Sequence, residues 1–193
     1  MSNVKTVLES LNNGGFDRVF ATLYGESALP RQKKRYADIV NVFEDLYKDG
    51  EIRFFSAPGR TEVCGNHTDH NRGRVLAAAV NLDVIAAASE NDENIIRLKS
   101  VEYPKMDVID LNDLEPKAEE AGKSAALIRG VASRLKQLGY NIGGFNAVTT
   151  TDVFSGSGIS SSAAFEVLVG TILNHLYNDG KISPVEIAKT AQF

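Results

Sequence analysis

A loop of glycine and serine between a strand and a helix is the feature that most restricts this chain. The residues "SGSGISSS", Ser155 to Ser162, follow the strand-like run "GGFNAVTTT" and lead into an apolar helix over Ser161 to Tyr177. Small residues allow backbone N–H groups to approach an anion, and the helix N-terminus adds its partial positive charge. The pattern predicts a phosphate site, with serine hydroxyls as further donors or as a metal ligand. A tight turn with a serine that only caps the helix is the alternative.

Two other nucleotide-binding loops are excluded by spacing. "AGKS", which ends at Ser124, resembles the end of a Walker A loop, but that motif needs a glycine where the chain has Lys117. The dinucleotide fingerprint would begin at Gly156 and Gly158, and it requires glycine or alanine where the chain has Ser161. The glycine and serine loop therefore belongs to neither class.

The remaining segments predict helices and strands in separate regions. Apolar residues at three- and four-residue steps in "VKTVLESL" and "YADIVNVFEDLYKDG" predict a helical N-terminal extension over residues 1–50. The runs "IRFFSAP", "RVLAAAVNLDVIAAASE" and "NIIRLKSV" predict buried or half-buried strands that polar turns separate. An amphipathic helix is predicted from Ser124 to Leu138. We therefore divide the chain into the extension and a second region, 51–193.

A second motif runs from Gly59 to Gly73, "GRTEVCGNHTDHNRG". Its arginine, histidines, aspartate and asparagines offer donors and acceptors in several directions, as recognition of a polyhydroxylated ligand such as a sugar requires. Two other interpretations stay open. His67, Asp69 and His70 could contribute ligands to a divalent metal, although their spacing is unusual. The asparagines and aspartate could instead satisfy the backbone of a polar loop.

Composition limits the classes of protein to which the chain can belong. Its 193 residues are 43% hydrophobic and 24% charged, which is enough apolar material for a folded core. A net charge of −4 with scattered signs opposes a nucleic-acid surface, and the basic run Arg31 to Arg35, "RQKKR", predicts a solvated helix face. Cys64 is the only cysteine, and no apolar run approaches the length of a bilayer span. We predict a cytoplasmic protein without nucleic-acid or membrane partners.

Both motifs resemble those of one enzyme family. "APGRTEVCGNHTDHNRG" is similar to the galactokinase signature, and "DVFSGSGISSSAA" is similar to the second motif of the GHMP small-molecule kinases, the superfamily that includes the galactokinases. The resemblance implies an α+β fold, the GHMP-kinase N-terminal domain, with a mixed β-sheet, a left-handed βαβ crossover and helices packed on the sheet. It also implies transfer of the γ-phosphoryl group of ATP to the anomeric hydroxyl of galactose, with ATP and Mg²⁺ as cofactors.

The same resemblance implies a role for each motif residue. Arg60 falls on the catalytic arginine beside the transferred phosphoryl group. Asn66, His67 and Asp69 fall on the sugar-binding positions, and Ser160 falls on the position near the magnesium ion. The positions that wrap the ATP phosphates are Gly156, Ser157, Gly158, Ile159, Ser160, Ser161 and Ser162.

Departures from the family pattern leave the sugar open. Asn66 stands where the family commonly has a glutamate, and His70 replaces a tyrosine. Phe154 and Ser155 stand before the first loop glycine, where the family has a proline. A non-catalytic sugar-binding or sensor module on the same scaffold, or a kinase for a related sugar, is the alternative. A mevalonate or homoserine kinase would share the serine-rich loop but would not account for "GNHTDHN".

The C-terminal residues "ISPVEIAKTAQF" predict a last helix, with Ser183 as its cap and Pro184 and Glu186 in its first turn. In the family pattern, this helix precedes the magnesium-binding glutamate and the aspartate that accepts the proton of the sugar. We therefore expect the chain to represent the N-terminal part of a sugar 1-kinase that binds ligands weakly and is inactive alone. We also expect an exposed apolar surface through which copies can self-associate.

Overall fold

The computed structural model of the chain describes residues 2–48, 50–65 and 73–192. Its helices are α1 (Val4–Asn12), α2 (Asp17–Tyr24), α3 (Leu29–Tyr47), α4 (Ser124–Gln137), α5 (Ser161–Tyr177) and α6 (Pro184–Gln192). Its strands are β1 (Ser2–Asn3), β2 (Glu51–Cys64), β3 (Leu76–Glu90), β4 (Ile95–Ser100), β5 (Met106–Asp110) and β6 (Phe145–Thr151). Short 3-10 helices lie at Glu26–Ala28 and Ala118–Glu120.

The strands form one mixed sheet in the order β1-β2-β3-β6-β4-β5. Strands β4 and β6 are parallel neighbours, whereas the other adjacent pairs are antiparallel. Between these parallel strands, the chain passes through β5 and α4 before it returns as β6. This unit provides the βαβ crossover of the expected fold, and the α+β class with helices packed on a mixed sheet is confirmed.

Helices cover both faces of the sheet. Helices α1 to α3 share one apolar core with the sheet, and helices α4 to α6 share the other. In β3, Val84, Ala86 and Ala88 point into the second core, while Ile85 and Ala87 point into the first. Because both faces of this strand are buried from Val84 to Ala88, that part of its sequence is a continuous apolar run instead of an alternating one.

The helical character of the N-terminal region is confirmed, and its packing follows from its periodicity. In α3 the buried apolar residues are Tyr36, Ile39, Val40 and Phe43, at the three- and four-residue steps of one helix face. That face packs on β3 and β6. The boundary at residue 50 stays a prediction, although the apolar core of α1 to α3 includes side chains of the sheet.

The run "RVLAAAVNLDVIAAASE" forms one strand, because β3 continues without a break from Leu76 to Glu90. Its pairing with β2 shifts part of the way along: Pro58 pairs with Asp83, and Arg60 pairs with Ala79. The chain thus advances four residues on β3 while it advances two on β2. A β-bulge of this kind accommodates extra residues without ending the strand.

Beyond the bulge, the two strands form a ribbon made of residues 58–64 and 76–82. The ribbon exposes apolar side chains, because Val63 and Leu76 each keep 62% of their surface accessible. Asn66, His67 and Asp69, the predicted sugar-binding residues, lie between these strands in the chain and outside the described residues. In the described part of the chain, no helix combines the length and apolar character that crossing a bilayer requires.

Candidate functional site

Strand β2 and the loop Ser155 to Ser162 are in direct contact. The backbone N–H of Arg60 donates a hydrogen bond to the carbonyl oxygen of Ile159, with an N···O distance of 3.1 Å. At Gly59, a Cβ atom would lie 2.9 Å from that carbonyl oxygen and 3.2 Å from Cγ2 of Val153. Glycine therefore permits a close approach of the two segments. The two sequence motifs, which are distant in the chain, meet at this point.

The side chain of Arg60 is available to an external anion. It is 47% exposed, and its Nη2 lies 3.5 Å from Oε1 of Glu62 in the same strand. An exposed arginine beside a candidate phosphate loop can neutralise phosphate charge through its planar set of donors. Glu62 would compete with a phosphate for the same guanidinium group.

The loop has a backbone that glycine favours. Gly156 and Gly158 have φ angles of 80° and 77°, in the left-handed region, and a Cβ atom at either position would meet open space. Glycine is therefore required there for conformation and not for room. The N–H of Ser157 donates to the carbonyl oxygen of Phe154 at 3.1 Å, which closes a turn at the start of the loop.

Ser160 stands at the N-terminus of α5 in a left-handed conformation, with φ 64° and ψ 61°. Its carbonyl oxygen accepts the N–H of Ala164 at 3.1 Å, but its side chain makes no capping hydrogen bond. The interpretation in which a serine only caps this helix is therefore wrong for the N-cap position. The first-turn residues Ser161 and Ser162 present the N–H groups that a helix leaves unpaired at its start, and these favour an anion.

A charged network that sequence reasoning missed lies at the base of the loop. Asp152 lies three residues before Ser155, the first residue of the loop, and its N–H donates to the carbonyl oxygen of Asp83 at 2.9 Å. Its Oδ1 lies 2.6 Å from Nη2 of Arg31, and its Oδ2 lies 3.3 Å from Nη1 of Arg35. Both arginines belong to α3. The helix therefore contacts the chain just before the loop.

Asp83 is the buried acceptor at the centre of this network, with 2% of its surface exposed. It receives hydrogen bonds from Arg35 Nη1 at 2.6 Å and from the hydroxyls of Tyr24 and Ser56 at 2.5 Å each. Burial, a second phenol group and the Asp83 carboxylate raise the pKa of Tyr24. Burial also raises the pKa of Tyr36, which is bonded to Tyr24, to about 12. Both phenols therefore stay protonated at neutral pH.

A second set of contacts, made by Glu102, holds the end of β6. Glu102 Oε1 accepts hydrogen bonds from the Thr150 hydroxyl at 2.5 Å and from the Thr151 N–H at 3.0 Å. Glu102 Oε2 accepts the hydroxyl of Ser100, in β4, at 3.0 Å. The end of β6 is thus held by Glu102, which follows β4, and the next residue, Asp152, is held by α3.

The network corrects the interpretation of "RQKKR" as a solvated helix face. Arg35 and Gln32 are 9% and 2% exposed, because both lie on the side of α3 that faces the sheet. The helical periodicity of α3 could have indicated that Arg35 is buried, since Arg35 lies on the same helix face as the buried residues Tyr36 and Ile39. Its partner Asp83 is 48 positions away in the sequence, and spacing along one helix does not reveal such a pair.

Metal-binding side chains do not cluster in the part of the chain that the structure describes, where no group of three His, Cys, Asp or Glu residues could hold an ion. His67, Asp69 and His70, the open metal interpretation, lie outside the described residues. One further acid lies in α5: burial raises the pKa of the Glu166 carboxyl above its usual range.

Comparison with known proteins finds two family matches. Residues 41–90 match the galactokinase galactose-binding signature, and residues 126–193 match the GHMP kinases N terminal domain. The galactokinase of Clostridium tetani is 31% identical over 162 residues, covering 84% of this chain and 41% of that protein. The galactokinase of Lacticaseibacillus paracasei is 37% identical over 154 residues, covering 79% of this chain and 39% of that protein.

Solved structures agree with these matches. A crystal structure of Lactococcus lactis galactokinase complexed with galactose has a TM-score of 0.72 at 30% identity, covering 79% of this chain and 39% of that one. Methanococcus jannaschii mevalonate kinase has a TM-score of 0.60 at 19% identity, covering 74% and 45%. The second similarity shows the fold alone.

The sheet with its crossover, the contact of the two motifs and both family matches place this chain among the GHMP kinases. Within that class, it is identified with the N-terminal part of the galactokinases, whose galactose-binding signature it carries over residues 41–90. The chain spans about 40% of the length of the relatives described above.

Proposed function

We propose that the chain is the N-terminal part of a sugar kinase of the galactokinase type, an ATP:sugar 1-phosphotransferase that acts on the anomeric hydroxyl of galactose. The supporting observation is the hydrogen bond from the Arg60 N–H to the Ile159 carbonyl oxygen. It brings the strand that leads to the sugar signature against the candidate phosphate loop. Phosphoryl transfer depends mainly on positioning two substrates side by side and on stabilising charge.

Each part of the site has a role in this proposal. Asn66, His67 and Asp69 bind sugar hydroxyls through directional hydrogen bonds. Arg60 steadies the charge of the transferred phosphoryl group. The residues that hold the ATP phosphates, through their backbone N–H groups and hydroxyls at the start of α5, are Gly156, Ser157, Gly158, Ile159, Ser160, Ser161 and Ser162.

Magnesium fits this donor set through Ser160, whose hydroxyl is not used for capping. Mg²⁺ usually keeps several waters and is bound by few protein oxygens together with substrate phosphates. A single hydroxyl beside the phosphate loop is therefore a suitable protein ligand. When bound with ATP, the ion would neutralise part of the phosphate charge.

A non-catalytic sugar-binding or sensor module is the second candidate. The observation that favours it is Glu62, whose Oε1 lies 3.5 Å from Nη2 of Arg60 and lowers the positive charge available to a phosphate. In either case, the exposed ribbon side chains Val63 and Leu76, together with the neighbouring Val75, offer an apolar surface through which copies of the chain can self-associate.

Calorimetric titration with galactose and with ATP plus Mg²⁺ tests the proposal. The sugar is identified with N-acetylgalactosamine, galacturonate, arabinose and mevalonate as competitors. We expect Asp69→Ala to weaken sugar binding by roughly 5- to 150-fold, because a sugar hydroxyl loses its partner, and to leave ATP affinity unchanged. Asp179→Ala, which alters a carboxylate whose side chain is 81% exposed, is the matched control.

Unchanged sugar affinity in Asp69→Ala would show that the signature does not form the sugar site. An ATP-consumption assay with galactose and Mg²⁺ tests the expectation that the chain alone is inactive. Galactose-dependent turnover at ordinary kinase rates, about 1–100 per second, would contradict that expectation. ATP binding that Arg60→Ala weakens favours the kinase, whereas sugar binding without any ATP binding favours the sensor module.

A further inference from the structure

Helix α3 contacts the base of the phosphate loop through two arginines one helical turn apart. Nη2 of Arg31 lies 2.6 Å from Oδ1 of Asp152, and Nη1 of Arg35 lies 3.3 Å from Oδ2 of the same carboxylate. Residues at i and i+4 share a helix face, so both guanidinium groups reach one acceptor. The N-terminal helices and the loop are thus joined by charge as well as by apolar packing.

Asp152 depends on α3 for its partners, because Asp83 already uses most of the hydrogen-bond donors nearby. The Asp83 carboxylate accepts hydrogen bonds from Arg35, Tyr24 and Ser56, each at 2.5–2.6 Å. Oδ2 of Asp152 is buried, and within the described residues it accepts no hydrogen bond. One buried guanidinium group therefore faces two carboxylates, and Arg31 supplies the additional positive charge that Asp152 needs.

The position of Asp152 determines where the loop begins. Its N–H is bonded to the carbonyl oxygen of Asp83 at 2.9 Å, and the N–H of Val153 is bonded to the Thr151 hydroxyl at 2.9 Å. Cγ2 of Val153 would lie 3.2 Å from a Cβ atom at Gly59. A shift of Asp152 is therefore transmitted both to the loop and to its contact with β2.

We propose that Arg31 and Arg35 are positioning residues that hold the loop Ser155 to Ser162 in its phosphate-accepting shape. The N-terminal helices are then part of the nucleotide site and not only a cover for the sheet. The ligand part of this inference rests on the proposed function, whereas the control of the loop by α3 does not.

Arg31→Gln in the full chain is the test, because the Arg31 side chain is 59% exposed and its removal leaves the buried Arg35–Asp83 pair intact. The melting temperature should change little, because the Arg31 side chain is largely solvated and Asp152, which is 12% exposed, keeps its contact with Arg35. We expect faster hydrogen exchange of loop amides 153–162 without ligand, and an ATP affinity that falls about 2- to 5-fold. Arg31→Lys, which keeps the charge, should restore most of both quantities.

Lys34→Gln is the matched control, because it breaks an ion pair of 2.7 Å on the same helix whose side chains are 77% and 56% exposed. Loop exchange and ATP affinity in Arg31→Gln that equal those of Lys34→Gln would overturn the inference. A uniform rise in exchange with a lower melting temperature would also overturn it, because the ion pair would then be merely structural. If the unaltered chain does not bind ATP, the proposed function fails, while the exchange comparison still decides whether α3 controls the loop.

Discussion

Gly59 determines how closely strand β2 approaches the candidate phosphate loop. A methyl group there would lie 2.9 Å from the carbonyl oxygen of Ile159, the acceptor of the Arg60 N–H, and 3.2 Å from Cδ1 of Ile159. The obstacle includes backbone, which cannot rotate away as a flexible side chain can. One missing side chain therefore allows the two segments of the candidate site to be hydrogen-bonded neighbours.

We expect Gly59→Ala to destabilise the chain by roughly 1–3 kcal/mol, the usual cost of inserting a methyl group into a packed contact. It should also weaken ATP binding, because the loop must move away from β2. Denaturant unfolding followed by circular dichroism measures the first effect, and calorimetry measures the second.

Gly130→Ala is the control for that substitution, since Gly130 lies inside α4 and a Cβ atom there meets nothing within 4 Å. It should stabilise the chain by up to about 1 kcal/mol, because alanine is the better helix former. Equal unfolding free energies for the two variants would contradict the role assigned to Gly59.

At the scale of elements, the start of α5 combines a strained backbone with a hydroxyl that makes no capping hydrogen bond. Ser160 holds a left-handed conformation, which costs a residue with a side chain about 1–2 kcal/mol. Its hydroxyl makes no capping hydrogen bond that would offset this cost. Because no such hydrogen bond offsets the backbone strain of Ser160, and because this residue lies at a candidate ligand site, the strain favours a role in binding.

Ser160→Gly separates the backbone strain at this position from the role of its hydroxyl in ligand binding. Glycine relieves the left-handed strain, so the free energy of unfolding should stay equal or rise. If the hydroxyl is a magnesium ligand, the gain in ATP affinity that Mg²⁺ provides should shrink. Titrations of ATP with and without Mg²⁺ measure that gain; a variant that retains it in full would remove Ser160 from the metal site.

Helices were more predictable from sequence than strands, for physical reasons. The predicted start of α4 at Ser124 and the predicted bounds of α5, Ser161 to Tyr177, are confirmed because periodicity and helix ends are local signals. The Ser183 cap is also observed, since its hydroxyl accepts the Glu186 N–H at 3.2 Å. The β-bulge between β2 and β3 was not predicted, because a bulge is created by pairing with another strand, which single-strand patterns do not contain.

For the candidate site, the sequence pattern predicted the motifs but not what supports them. Arg60 and the glycine and serine loop were recognised as motifs, and the contact between them required the structure. The network of Arg31, Arg35 and Asp152 was missed because its partners come from different elements, brought together only when α3 packs on the sheet.

Across the whole molecule, buried phenols couple stability to alkaline pH. Burial raises the pKa values of Tyr36, Tyr47 and Tyr177 to about 12, above the ordinary value of about 10. Because the folded chain holds these protons more tightly than the unfolded chain, their stabilising contribution is complete below about pH 10. It is lost as the pH rises toward 12.

We therefore expect the free energy of unfolding to fall steeply between about pH 10 and 12, together with the appearance of tyrosinate absorbance. Tyr36→Phe removes one titrating group and should make the fall shallower over that range. Denaturant unfolding at several pH values gives the slope. A slope that Tyr36→Phe leaves unchanged would mean that this phenol is not linked to folding.

The Arg35–Asp83 pair also limits how the sequence can change over generations. Arg35 lies in α3 and Asp83 in β3, yet each is buried against the other at 2.6 Å. Loss of either charge alone strands its partner in the interior, which is strongly destabilising, so acceptable changes must occur in both helix and strand. A chimera that takes the N-terminal helices and β3 from two different relatives should therefore fold only where both sources supply the two halves of this pair.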